Sequence, residues 1–496
     1  MIEHTLHSLS QFLPEIVIVI TLCVIIVADL VTKKDRNITG YLFLGGLVVS
    51  GFLVLQQIGL NELFFYDMVV VDPFAVYFKV MIVLTGILIT FFSLQSRELA
   101  DYRSRIGEFY MLLSGMILGM MLMVSSTNIL MMYLAFELTS ISSYVLVGFT
   151  KKIPISAEAS MKYIVYGSVS SGVMLYGLSL LIGLTGGTDI FVVNEALSAG
   201  VSNPLILNIS ILMILVGMGF KIAVVPFHFW APDVYEGAPI SIAAILAVAS
   251  KIAAFGLLLR FFTVSFSDPN GMLGEGIWQM IEGVQWTWIV STMAALAMIV
   301  GNLTALKQDN IKRMLAYSSI AHAGYLLMGV VMLAEEGIAS IMIYLFIYIF
   351  MNLGAFYVAM LFSNKLETES IEQYKGLGFR APLESVGMTI FLIALTGIPP
   401  TGGFVAKLYI FGAAVSGGWF WLVAIAGITT VISLFYYIRV VRNLFFYRPS
   451  KETSPISFSI GAKVFLFVLL IPTILLGIYF EPLLSFAKES VQMFGM

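Results

Sequence analysis

Glu137, Lys221, Lys251, His322 and Lys407 each stand near the middle of a long apolar run. An ionisable side chain at such a depth in a membrane costs about 2.5 to 3.5 kcal/mol on insertion scales, so a chain that keeps several has a use for them. Lysine, glutamate and histidine can all change charge with their surroundings, whereas arginine stays protonated. Groups of this kind at one depth on neighbouring helices can form a polar file along the bilayer midplane, through which protons hop by way of waters. The plainer reading, structural ion pairs holding helices together, suits one isolated charge better than five at similar depth. Glu137 and Lys221 are candidates for a pair that toggles between ionised and neutral forms.

Four further residues carry charge near the spans. Lys162 lies close to the start of one, within snorkelling reach of the surface, and its position suits a structural and a functional role equally. His228 follows Pro226 and either caps a broken helix or relays protons. Lys79 and Arg260 read as snorkelling or paired side chains, outside the proposed file.

Two apolar runs are interrupted where a simple anchor would be continuous. One break is Val225-Pro226-Phe227-His228-Phe229-Trp230-Ala231-Pro232, the other Gly397-Ile398-Pro399-Pro400-Thr401-Gly402-Gly403. Proline removes a helical donor and frees carbonyls that need other partners. Lys221 precedes the first break and Lys407 follows the second, which places both charges beside freed backbone groups. Discontinuous helices in corresponding halves of a chain point to an ion pathway.

The elements that hold these residues follow from composition. Of 496 residues 59% are hydrophobic and 11% charged, which excludes an ordinary soluble domain. The apolar runs are about 18 to 25 residues long without alternation, so they read as transmembrane helices and not as strands of a barrel. The lone cysteine, Cys23, cannot form an internal disulfide, an iron-sulfur site or a thiolate zinc site. A net charge of -3 offers no basic face for nucleic acid. The sequence therefore predicts an all-α polytopic membrane protein, a single integral membrane domain over 1–496.

Hydropathy and loop punctuation give about fourteen spans. Spans one to seven run near 12–31, 40–58, 73–94, 107–125, 128–149, 160–184 and 205–230. Spans eight to fourteen run near 239–262, 286–304, 314–333, 338–362, 386–416, 419–446 and 462–484. The first lacks a basic start and a cleavage site and is counted as a retained helix. The longest connections, 185–204, 263–285 and 363–385, have room for a short surface helix or hairpin. Lys33, Lys34, Arg36, Arg97, Arg103, Arg105, Lys151, Lys152, Lys307, Lys312, Arg313, Lys365, Lys375, Arg380, Arg442, Arg448 and Lys451 fall on one set of alternate loops, and only Lys488 falls clearly on the other. The positive-inside rule then puts both termini outside, as an even number of spans requires. The breaks in spans seven and twelve are five spans apart, and an odd unit duplicated in tandem must invert. Spans four to eight (107–262) and nine to thirteen (286–446) are thus expected to be inverted five-helix repeats, giving one half-path opening inward and one outward.

The stretch Gly219-Phe220-Lys221-Ile222-Ala223-Val224-Val225-Pro226-Phe227-His228-Phe229-Trp230-Ala231-Pro232-Asp233-Val234-Tyr235-Glu236-Gly237-Ala238-Pro239 closely resembles the hallmark of the antiporter-like membrane subunits of respiratory complex I, the NADH:quinone oxidoreductase. Its ending resembles the N-subunit branch of that family. Glu158 to Tyr163, Ser250-Lys251, Lys312 to Tyr325 and Gly397 to Lys407 resemble further family stretches, so the likeness covers essentially the whole chain.

The resemblance implies residue roles. Glu137 and Lys221 would be the coupled ion pair, Lys251 the central connecting lysine and Lys407 the terminal group facing the outward half-path. Lys162 would stand near the proton input, with His228 and His322 helping to carry the file. Lysine at 407 resembles the N and L branches and not the M branch, and the short segment after span fourteen lacks the long lateral helix of the L branch.

The implied function is a non-redox, proton-translocating subunit of the translocase, driven by quinone reduction elsewhere in the complex. No cofactor is expected in this chain; FMN, iron-sulfur clusters and quinone belong to partner subunits. The implied partners are K-like and M-like membrane neighbours, the peripheral redox arm and the lipid bilayer, with no nucleic acid. The implied location is the bacterial cytoplasmic (inner) membrane, with both termini periplasmic. A subunit of a multi-subunit sodium/proton antiporter is the main rival, and a purely structural scaffold the weakest.

Overall fold

The structure, a computed structural model, describes residues 2–32, 37–274, 276–447 and 454–495. Lys33, Lys34, Arg36, Arg448 and Lys451 of the charge count lie outside the described residues. Helices dominate, and a continuous apolar core of side chains from nearly all of them joins the described parts.

Among the described residues twelve helical segments are long and apolar enough to cross a membrane, Ile240–Phe266 counted as one. Two expected spans are missing from that set for visible reasons. Span ten, Ile311–Val330, carries Lys312, Arg313, Ser318, Ser319 and His322 and is too polar to qualify by hydropathy. Span twelve is divided into Pro382–Thr396 and Gly402–Ser416, each too short alone.

The loops sort into two ends. Arg97, between spans three and four, pairs with Glu367, between eleven and twelve, at 2.9 Å. Arg313, at the start of span ten, pairs with Glu236, between seven and eight, at 2.6 Å. At the opposite end the Ile129 amide donates to Thr188, Trp278 to Leu333 and Phe494 to Asp72. Alternate loops therefore meet each other, as a chain threading back and forth demands.

The two expected repeats share features beyond their order. Span six, Pro154–Thr185, and span eleven, Glu335–Leu366, are both 32 residues long, well beyond the apolar runs that marked them. Four packs along five as nine packs along ten, and six along seven as eleven along twelve. Span seven ends at Ile222 with Ala223 left-handed, and helix resumes at Trp230. The first half of span twelve ends at Thr396 with Gly397 left-handed, φ 87°. Val225–Pro226 and Pro399–Pro400 are both cis.

Span eight is also broken, which the sequence did not announce. Ile240–Ala247 and Ala249–Phe266 are separate helices joined at Val248, where ψ falls to -75°. No proline or glycine marks the place.

Candidate functional site

Each of the three central lysines stands beside a helix break. Lys221 occupies the last turn before the gap in span seven, Lys251 the first turn after Val248, and Lys407 the helix that restarts span twelve. All three are buried. The breaks also supply acceptors. Lys407 Nζ donates to the freed Thr396 carbonyl at 2.8 Å and to Thr430 Oγ1 at 3.2 Å. Trp230 Nε1 takes the Phe220 carbonyl at 3.0 Å, closing the gap in span seven.

Lys221 Nζ donates to Ser140 Oγ at 2.8 Å and lies 5.1 Å from the centre of the Phe136 ring. Glu137 interacts with it electrostatically, but the two side chains are not in direct ion-pair contact in this structure. Ser140, one turn further along span five, takes the ammonium instead. Glu137 Oε1 is left buried with no hydrogen-bond partner. A buried carboxyl oxygen without a donor is costly, so a shift of Lys221 toward it would be favoured.

Hydroxyls fill the interval between Lys221 and Lys251. Ser143 Oγ donates to the Ser140 carbonyl at 2.7 Å and lies 3.4 Å from Tyr163 Oη. The Tyr163 ring stacks on Trp230 with centroids 4.4 Å apart. Tyr235, from the short helix after the break, hydrogen-bonds Ser319. Lys251 Nζ meets that same serine through both its hydroxyl, at 2.5 Å, and its carbonyl.

From Lys251 the contacts run on to Lys407. Tyr348 Oη donates to Ser319 Oγ at 3.1 Å and accepts from Asn352 at 2.7 Å. His322 Nδ1 lies 2.6 Å from Tyr344 Oη, and its ring stands 5.2 Å from that of Tyr348 and 5.7 Å from that of Tyr325. His322 interacts electrostatically with both Lys251 and Lys407. Lys407 Nζ sits 4.6 Å from the Tyr325 ring centre. Lys251, His322 and Lys407 are thus brought together, with Lys221 and Glu137 beyond the hydroxyl interval.

Two candidates stand apart. Lys162 lies at the lysine- and arginine-rich end, 39% exposed, 2.8 Å from Glu158 and 2.7 Å from Asp233. Asp233 also receives Arg313 at 2.7 Å. Burial pushes the Asp233 carboxyl up, and these two hydrogen-bonded cations more than offset it, holding the group below the usual carboxylate range. A cavity of about 670 Å³ opens beside this cluster, lined in part by Glu98, Glu236, Asn310, Lys312 and Glu369. His228 lies in the break of span seven against Phe229, with Nδ1 buried and unpartnered.

The two charges read as paired side chains have partners. Lys79 meets Glu15 at 2.7 Å, and Arg260 forms a two-pronged bond to Asp72 at 2.8 Å on each oxygen.

Sequence reasoning missed Ser140, Ser143, Ser319, Tyr325, Tyr344, Tyr348 and Thr430. A signal was present. Glu137, Ser140 and Ser143 recur every three residues, as do Ser319, His322 and Tyr325, while Tyr344, Tyr348 and Asn352 recur every four. Such spacings line one helix face. Among the described residues no group of three or more His, Cys, Asp or Glu side chains is placed to hold a metal ion.

Known proteins resemble this chain over nearly its full length. Residues 126–433 match the family described as NADH:quinone oxidoreductase/Mrp antiporter, TM. NADH-quinone oxidoreductase subunit N 2 of Chloroherpeton thalassium is 43% identical over 493 residues, covering 98% of this chain and 95% of that protein. NADH-quinone oxidoreductase subunit N of Chlorobium chlorochromatii is 40% identical over 496 residues, covering 99% and 96%. A chain in the structure of respiratory complex I from Thermus thermophilus with bound aureothin superposes with a TM-score of 0.77 at 26% identity, covering 95% of this chain and 98% of that one. With a family match across most of its length and relatives of this similarity, the chain belongs to the antiporter-like membrane family of NADH:quinone oxidoreductases, in its subunit N branch.

Proposed function

We propose that this chain moves protons across the membrane as a non-redox subunit of an NADH:quinone oxidoreductase, using Glu137, Lys221, Lys251, His322 and Lys407. The observation that carries the reading is the chain of contacts from Lys251 through Ser319 and His322 to Tyr325 and Lys407. Each basic group in it changes charge by gaining or losing one proton, and the intervening hydroxyls both donate and accept. The breaks in spans seven, eight and twelve each lie next to one of the lysines, so a small rearrangement there alters which acceptor the ammonium meets.

In the proposed cycle a charge change at one end of the chain moves Lys221 between Ser140 and Glu137. Lys221 then passes its proton along the Ser143, Tyr163 and Tyr235 interval toward Lys251, and onward to Lys407. Lys162, Asp233 and the cavity beside them form the input at the lysine-rich end, and His228 lines the adjacent break. We place that end at the cytoplasmic face of a bacterial inner membrane, with both termini periplasmic, on the charge bias of the loops. The shared length of spans six and eleven and the matching breaks support two inverted repeats, 107–262 and 286–446, in one domain of about fourteen crossings. K-like and M-like neighbours and a redox arm carrying FMN, iron-sulfur clusters and the quinone site would complete the assembly.

The test is made in the assembled complex. Lys221→Ala and Glu137→Ala should abolish most NADH-driven proton translocation while leaving membrane insertion intact. Full pumping by both variants would end the assignment. The rival reading, a sodium/proton antiporter subunit, predicts sodium-dependent proton exchange without co-purifying flavin and iron-sulfur subunits.

A further inference from the structure

A second polar branch leaves Lys407 toward the lysine- and arginine-rich end. Lys407 donates to Thr430, and Thr430 Oγ1 lies 3.4 Å from Tyr325 Oη, which also lies 3.3 Å from Thr429. Asn302 Nδ2 meets Tyr325 Oη at 3.3 Å, and Asn302 Oδ1 accepts from Tyr436 Oη at 3.0 Å. Tyr436 packs against Tyr437, whose hydroxyl lies 2.5 Å from Ser318 Oγ. Asn302 is three residues from the end of its helix, and Arg439, one turn beyond Tyr436, reaches the Leu306 and Gln308 carbonyls in the loop that follows.

Between Lys407 and Arg439 every side chain of this branch carries a hydroxyl except Asn302. A hydroxyl relays a proton by accepting one and releasing another, and it returns to its starting state by rotating. A carboxamide has separate donor and acceptor atoms and does not titrate near neutral pH, so passing a proton from Oδ1 to Nδ2 requires an imidic acid tautomer. The Asn302 amide is also fully committed, since Nδ2 donates to the Met298 carbonyl at 2.8 Å as well as to Tyr325. It is fully buried between Tyr436 and Tyr325, each of which is almost fully buried.

We infer that Asn302 is a proton insulator: it joins the two hydroxyl clusters mechanically while blocking proton flow between Lys407 and the lysine-rich end. The inference rests on the reading of Lys407 as the group that releases protons outward. Outward release is productive only if the same lysine is closed to the opposite side, and a hydroxyl or carboxyl at 302 would join the Lys407 cluster to the Tyr436 cluster that leads toward that side. Asn302 is a positioning residue in this role, holding Tyr325 under the Lys407 ammonium.

The experiment uses the assembled complex reconstituted in liposomes with a trapped pH-sensitive dye and an imposed pH gradient, without NADH. Asn302→Asp should collapse the gradient several-fold faster than the parent complex, and Asn302→Ser should do so to a smaller degree. Asn302→Leu, which cannot relay, should hold the gradient as the parent does. Adding Lys407→Met to Asn302→Asp should restore the seal. NADH oxidation by Asn302→Asp should continue while net pumping falls. If the Asp and Ser variants both assemble and hold the gradient like the parent, the insulator role is overturned. If they leak and Lys407→Met does not reseal them, Asn302 insulates but the assignment of Lys407 fails, which separates the two readings. Should Asn302→Asp fail to assemble, the Ser and Leu variants decide the matter.

Discussion

The Lys251 ammonium holds Ser319 by its hydroxyl and its carbonyl together, and Ser319 stands one turn before His322 on the same helix. Span eight and span ten are therefore tied at the one residue that also receives the Tyr348 hydroxyl. A hydrogen bond to a charged group contributes about 1.5 to 3 kcal/mol. Ser319→Ala removes the hydroxyl and leaves the carbonyl, so the loss falls toward the lower end, roughly tenfold in proton-transfer rate. Ser319→Thr restores the group and should recover most of the rate. NADH-driven proton uptake by reconstituted complexes measures both, and an unchanged rate in Ser319→Ala would remove this serine from the path.

The Arg260 and Asp72 pair predicts a different phenotype. Both groups are fully buried, Asp72 also caps the start of span three through Ala75 and receives the Phe494 amide. Removing one partner of a buried pair leaves an uncompensated charge and costs about 3 to 5 kcal/mol. Asp72→Asn should lower the thermal stability and yield of the complex. Each surviving complex should pump normally per NADH oxidised. A pumping defect in complexes of normal stability would place the pair in the proton path instead.

Acid should loosen the lysine-rich end. The folded Asp233 carboxyl is held below its unfolded value of about 3.9, so its contribution is fully present above that value and is lost as pH falls through the lower folded one. Glu98, between spans three and four, behaves oppositely. Burial raises it, Lys312 and the Ile240 amide only partly offset this, and its protonated form is favoured in the fold. Its contribution is therefore greatest at low pH and declines as pH rises through its folded value. Melting temperatures of the parent and Asp233→Asn should differ by a constant amount above about pH 4 and converge as pH falls below it. A difference that persists unchanged below that value would mean that Asp233 does not titrate with the fold.

The sequence made legible what costs energy to place in a membrane. Midspan charges and proline-bearing breaks stand out against apolar runs, so Lys221, Lys251, Lys407 and His322 were found with their helices. What it hid was geometry decided by packing. The break at Val248 has no breaker residue, because the turn is set by the fully buried surroundings of Ile240–Phe266 rather than by local preference. Span ten was read from hydropathy and loop punctuation although the very residues that matter dilute its hydropathy. Ser140 replaced Glu137 as the partner of Lys221 because both point from one helix face, and spacing alone cannot choose between neighbours one turn apart.

The break in span twelve is held from outside, by span fourteen. A Cβ at Gly477 would stand 2.0 Å from the Pro400 carbonyl oxygen and 2.4 Å from the Thr401 carbonyl carbon, both backbone atoms that have little freedom to retreat. Gly477→Ala must therefore push Ile460–Ile478 away from the break or move the break itself. Lys407 lies in the second turn after it and depends on the Thr396 carbonyl on the far side, so either movement misplaces the ammonium. Overpacking of this kind costs about 1 to 3 kcal/mol, enough to distort the site in a complex that still assembles. Gly427→Ala, where a Cβ meets nothing within 4 Å, is the control and should be silent. The expected outcome is a pumping loss in Gly477→Ala with NADH oxidation and assembly largely retained. Pumping equal to that of Gly427→Ala would show that span fourteen merely covers the break and that the Lys407 position is set from within span twelve.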